Sequence, residues 1–238
     1  MAGRTQKTRW WSAHRDALTQ AILVFPLFAI YQLGVILGAR GNAADFVSGL
    51  LIDLSRHDPV LYLQLVLGMV VVYGLTIWGL RRSGTFHPSD FVPVLLESGG
   101  YALVMGSIIL FVMRHVLGGV PGLALGAVGP VEVIVVSAGA GFHEELLFRM
   151  VLLGGTAKLL SGFTSRRAAW LWAMAISSLL FSLVHHVGVY GDPFDRGIFV
   201  YRALAGVYFG LIYVFRGFAM AAWTHALYDV YVLWLRPQ

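Results

Sequence analysis

Apolar residues run along this chain in blocks of about 20, each closed by Arg, Lys, Gly or Pro, and this punctuation predicts helices long enough to cross a bilayer. Seven such spans are predicted, over residues 17–39, 60–80, 91 or 95–116, 131–160, 168–187, 198–215 and 218–235. Pro26 predicts a kink in the first. The fourth is longer than one crossing needs, which predicts a tilt, kink or break around Gly139 and Gly141. Between the first two spans, Phe46, Val47, Leu50, Leu51 and Leu54 recur at helical spacing among charged residues, so 40–58 reads as a short amphipathic helix. Residues 118–130, rich in Gly and Pro, predict a turn. The blocks lack the two-residue alternation of barrel strands, and only helices and closed barrels satisfy a backbone in hydrocarbon. The expected fold is therefore all-α, a polytopic transmembrane bundle of about seven spans plus one short amphipathic helix.

Composition sharpens this picture. Hydrophobic residues make up 58% of the 238 positions, charged ones 12%, and the mean hydropathy is +0.75. A soluble domain of that size could not hide so much apolar surface. The net charge of +5 is spread singly or in pairs between apolar runs, a pattern that sets orientation and excludes a nucleic-acid patch. Basic residues of the 1–16 arm, Arg81, Arg82, Lys158, Arg166, Arg167 and Arg216 fall on one side of a seven-span chain. That side is expected to be cytoplasmic, with the N-terminus on it. The first span is too long for a cleavable signal and is expected to insert as a helix. Arginine supplies 15 of the 17 cations, which fits a GC-rich bacterial source and an inner membrane. Cysteine is absent, so thiolate chemistry is excluded.

An ionisable group at bilayer depth costs about 2.5–3.5 kcal/mol on insertion scales, so such groups mark function. Here they fall in three motifs: Gly141-Phe142-His143-Glu144-Glu145 continuing to Arg149, Phe181 with His185, and His225 with Asp229. Glu145 and Arg149, four apart, share a helix face and suit an ion pair. Glu144 lies about 100° around the helix, off the Arg149 face, and suits a base. His185 is the candidate to hold a water beside it, and His225 a candidate donor to a developing oxyanion. The zinc signature H-E-x-x-H fails, because Leu147 stands at its second histidine.

These motifs resemble the CPBP family of intramembrane endopeptidases, the group of type II CAAX prenyl proteases and bacteriocin-processing proteins. The family pattern is E-E-x-x-x-R, F-x-x-x-H and H-x-x-x-N or D, in that order on separate helices, met here by Glu144, Glu145 and Arg149, by Phe181 and His185, and by His225 and Asp229. The resemblance covers 131–235 and implies a catalytic core at 131–238, with 1–130 supplying a basic arm and variable helices of one integrated bundle. It implies that Glu144 and His185 activate water and that His225 and Asp229 stabilise the tetrahedral intermediate, with Glu145 in the catalytic set and Arg149 and Phe181 as structural support. The commoner third-motif residue is Asn; Asp229 donates a hydrogen bond only when protonated, and otherwise orients His225 or serves as a metal ligand. No cofactor is expected, although a divalent metal is the competing proposal for such sites. The expected partners are a membrane-anchored protein or peptide substrate and the lipid bilayer.

Blander roles are expected elsewhere: packing for His143, an interfacial position for His186, span-end positions for Glu97 and Glu132, and snorkelling for Arg202, with a peptide carboxylate as the sharper alternative for Tyr201 and Arg202. Two other functions fit the same residues. One is a non-catalytic peptide-binding scaffold or immunity protein. The other is a proton- or cation-linked transporter, against which the lack of repeated halves counts.

Overall fold

In the computed structural model, residues 16–38, 53–55, 58–116, 129–187 and 192–234 are described. The 1–15 arm, most of the expected amphipathic helix and the turn at 118–128 lie outside the described residues.

The described chain forms seven helical rods: α1 (Ala17–Ile36), α2 (Pro59–Leu80), α3 (Phe91–His115), α4, α5 (Arg166–Val184), α6 (Arg196–Arg216) and α7 (Phe218–Trp234). Rod α4 is composite, made of Pro130–Gly139, the π-helical stretches Ala140–Glu144 and Leu146–Gly154, and Gly155–Leu160. Small polar residues start the helices: the carboxylates of Asp16, Asp58 and Asp195 and the hydroxyl of Ser165 accept backbone N–H groups of the first turns of α1, α2, α6 and α5. Gly217, at φ 95°, makes the one-residue joint between α6 and α7, a conformation that disfavours any side chain.

By length and apolar composition five helices can each cross a membrane unaided: α1, α2, α3 with its preceding turn, α5 and α6. The fourth and seventh expected spans correspond to α4, built from shorter pieces, and to α7, of 17 residues. Helix α1 continues through Pro26 without a break. The irregularity expected near Gly139 is a change of winding: from Ala140 the rod opens to wider π turns. A methyl group on Gly141 would meet the Ala222 carbonyl oxygen at 2.5 Å and the Ala226 Cβ at 2.8 Å, so the backbones of α4 and α7 touch there.

Helix α7 is the centre of the bundle, packed against α1, α3, α4 and α6. Its run of Ala219, Ala221, Ala222 and Ala226, all buried, permits that crowding, since small residues let helices approach closely without a hydrophobic drive. At the opposite extreme, α2 has its main contacts with α1. Tyr73 stacks on Phe28 at 5.4 Å and donates its hydroxyl to the Ala21 carbonyl at 2.7 Å, while Val71, Leu75 and Trp78 face outward. An apolar exterior around a core that holds the charges is the inverse of a soluble protein and suits a lipid solvent.

Candidate active site

The ionisable residues of the three motifs, His143 apart, converge between α4, α5 and α7. The foundation is a fully buried pair: Arg149 Nε lies 2.9 Å from Glu145 Oε2, with the two side chains 1% and 0% exposed. The guanidinium is sandwiched rather than solvated, with its Cζ 4.4 Å from the Phe181 ring centre and 5.3 Å from that of Phe209. Such a sandwich adds cation–π attraction where water is excluded. The other carboxylate oxygen of Glu145 accepts a hydrogen bond from His225 Nδ1 at 2.7 Å. Glu145 therefore serves two partners and ties α4 to α7.

Glu144 points differently. Its Oε2 lies 3.6 Å from His185 Nε2 and 3.9 Å from His225 Nε2, so one carboxylate oxygen faces an imidazole from each of two other helices. Both separations exceed a direct hydrogen bond and suit a bridging molecule. His185 is oriented by its Nδ1, which donates to the Phe181 carbonyl at 2.7 Å and leaves Nε2 toward Glu144. His225 is held in the stack by Phe209, at 4.3 Å and 19° between ring planes, and its Nε2 also lies 3.7 Å from Asp229 Oδ2. Phe181 completes the frame, packing edge-on against Phe148 at 5.2 Å and close to both histidines. Exposure grades across the cluster: Glu145, Arg149, Glu144 and His225 are buried, whereas the side chains of His185 and Asp229 are 26% and 25% exposed and form its mouth.

The remaining sequence candidates separate cleanly. His143 is buried, its Nδ1 3.2 Å from the Gly139 carbonyl and its ring edge-on to Tyr31, which is the packing role expected of it. His186 turns away from the cluster, with Nδ1 3.2 Å from the Asp192 carbonyl. Glu97 does not reach for the interface: it accepts from Arg216 Nη2 at 2.5 Å and from the Tyr101 hydroxyl at 2.8 Å, joining α3 to α6. Arg202 does not snorkel freely but pairs with Asp192, 2.5 Å away. Tyr201 shares a buried hydroxyl contact with Tyr228. Two contributors carry no signal in the sequence strong enough to single them out. Phe209 is one apolar residue among many in an apolar helix, and only its place seven residues after Arg202 on α6 hints at a shared face. Asp192 reads as an ordinary loop acid.

Among the described residues, no group of three His, Asp or Glu side chains is arranged to hold a metal ion. Glu145 has both oxygens engaged by Arg149 and His225, so only Glu144, Asp229 and the Nε2 atoms of His185 and His225 face the common space.

Residues 126–231 match the family model described as Type II CAAX prenyl endopeptidase Rce1-like, a segment that contains every residue of the cluster. No curated protein and no solved structure gives a match.

Proposed function

We propose, from the premise that this chain is an integral membrane protein whose residues 126–231 form a type II CAAX prenyl endopeptidase Rce1-like domain, that it hydrolyses a peptide bond of a membrane-anchored protein with a water activated by Glu144 and His185. The observation that carries this is the single Glu144 oxygen facing His185 Nε2 at 3.6 Å and His225 Nε2 at 3.9 Å. A water held between Glu144 and His185 gives its proton to the Glu144 carboxylate as its oxygen attacks the substrate carbonyl carbon. The carbonyl electrons move onto oxygen, and His225, when it carries both ring protons, donates to that oxyanion from Nε2 while Nδ1 remains bound to Glu145. The C–N bond then breaks as Glu144 returns its proton to the departing nitrogen, leaving a carboxylic acid, which passes its proton on to water or to the amine, and an amine. Glu145 and Arg149 act through His225, which they orient. Asp229 sits beside His225 Nε2 and fixes the ring from the mouth side.

A protease core surrounded by lipid-facing helices suits a substrate presented from within the membrane. Connectivity puts the end of α4 with Lys158, the start of α5 with Arg166 and Arg167, and the end of α6 with Arg216 at one end of the bundle, which by the positive-inside rule is the cytoplasmic end. His185, at the far end of α5, opens the site toward the opposite face.

The deciding assay uses the full chain reconstituted in lipid vesicles with a prenylated, fluorogenic CAAX peptide and, in parallel, a peptide with a C-terminal membrane tail. Glu144→Gln and His185→Ala are each expected to lower turnover by about 10²–10⁴-fold with membrane insertion unchanged. Cleavage that survives both substitutions sinks the proposal. Chelator treatment of the same vesicles is expected to leave cleavage intact, and loss restored by a divalent ion would assign the space between Glu144, His185 and His225 to a metal.

A further inference from the structure

Helix α5 stops at Val184; the N–H groups of His185, His186 and Val187 still reach back to Ser182, Leu183 and Val184, but the His185 carbonyl lies past the last helical turn. A second set of contacts engages that carbonyl and traces to α6. The His185 carbonyl accepts the backbone N–H of Asp192 at 2.8 Å. The Asp192 carbonyl in turn faces His186 Nδ1 at 3.2 Å, and its carboxylate accepts from Arg202 Nη2 at 2.5 Å. Arg202 stands on a firm base: one turn on, Gly206 lies so close to α5 that an added Cβ would be 2.9 Å from Ser178 Cα, and Ser182 donates to the Phe199 carbonyl at 2.6 Å. The Arg202 side chain is 15% exposed, less than its partner at 47%, so the cation is the sheltered and anchored member of the pair.

We infer that Arg202 is a positioning residue for the hydrolytic reaction: through Asp192 it clamps the turn after α5 to α6 and thereby sets the distance between His185 and Glu144. This rests on the protease reading of the site and deepens it. A charge-assisted bond from a sheltered guanidinium holds geometry better than a surface pair does. Release of the turn would let the His185 backbone shift against the Nδ1 bond to Phe181 that orients the ring, opening the gap to Glu144. Displacements near an ångström are enough to cost about 10²-fold in rate. The competing role for Arg202, a contact to the carboxylate of a bound peptide, requires Asp192 to leave it and predicts a different kinetic signature.

The test compares Arg202→Met, Asp192→Asn, the double variant and Arg202→Lys in the full chain, reconstituted in vesicles with the prenylated CAAX peptide in free-acid and amidated forms. Each neutral single variant is expected to lower kcat by about 10- to 100-fold with KM little changed and the same ratio for both peptides. The double variant is expected to be no worse than the poorer single, as for two groups acting through one contact, and Arg202→Lys to recover part of the loss. A rise in KM confined to the free-acid peptide assigns Arg202 to substrate and overturns the inference, as does a kcat unchanged by both single variants. A second readout does not need turnover: in ¹⁵N-histidine-labelled protein, the imidazole signals of His185, assigned with His185→Ala, are expected to shift alike in Arg202→Met and Asp192→Asn. Unmoved signals overturn the clamp. Signals that shift in both variants, when the wild-type protein cleaves neither peptide, would instead uphold the clamp and remove the protease reading.

Discussion

Arg149 has one carboxylate and two aromatic rings for neighbours, and its Nη1 and Nη2 atoms make no hydrogen bond among the described residues. A charge so placed is tolerable only as part of a pair, because the desolvation of each ion is offset by the other. Arg149→Met should therefore strand Glu145 and cost about 3–5 kcal/mol of stability, read from thermal or denaturant unfolding in detergent. The double substitution Arg149→Met with Glu145→Gln should recover a large part of that loss while remaining inactive; an equal loss in both would mean that the packing of the side chain, not its charge, matters. Phe209→Leu should remove the stack on His225 at a cost of about 0.5–1.5 kcal/mol and lower turnover as the ring loosens. These residues differ in how far the sequence announces them. The four-residue spacings Glu145 to Arg149 and His225 to Asp229 suffice to put partners on one face, because helical geometry is local. Phe209 and Asp192 act across helices, through contacts that no local pattern encodes.

Among the elements, α4 carries the most chemistry and departs furthest from regular winding. Hydrophobic periodicity identifies 131–160 as one long helical segment but presupposes 3.6 residues per turn, so the π stretches from Ala140 are not legible in it. The first of them coincides with the closest approach to α7, where the Gly141 backbone rests on Ala222 and Ala226, and Glu144 and Glu145 leave the rod toward different partners. Gly141→Ala is then an overpacking change at a backbone contact, expected to cost about 1–3 kcal/mol and to reduce turnover, since α4 and α7 must separate and Glu144 must move from His225. Unaltered unfolding and turnover in this variant would show that the two helices have room to spare. Helix α2 is the contrasting case. Tyr73→Phe should weaken its docking on α1 by about 0.5–1.5 kcal/mol and leave turnover as it was, because no site residue rests on α2.

For the molecule as a whole, the apolar exterior and polar centre make the membrane part of the fold, and by the positive-inside rule the basic loop ends predict a direction for it. The absence of native cysteine makes that direction measurable. Phe163→Cys, in the turn between α4 and α5, should react with an impermeant maleimide in inverted vesicles, and Phe194→Cys, ahead of α6, in intact cells; the reverse pattern would turn the site to the cytoplasm. Both positions are exposed, so reagent access reports sidedness and not burial. The grading of the site from the sealed Glu145 and Arg149 to the half-open Asp229 and His185 has a consequence for covalent probes. A water-soluble carbodiimide entering from the mouth meets Asp229 first, so this carboxylate should be the earliest to form an adduct, with Glu144 later and Glu145 last. The order of modification in peptide maps would thus trace, acid by acid, the route by which water itself reaches Glu144.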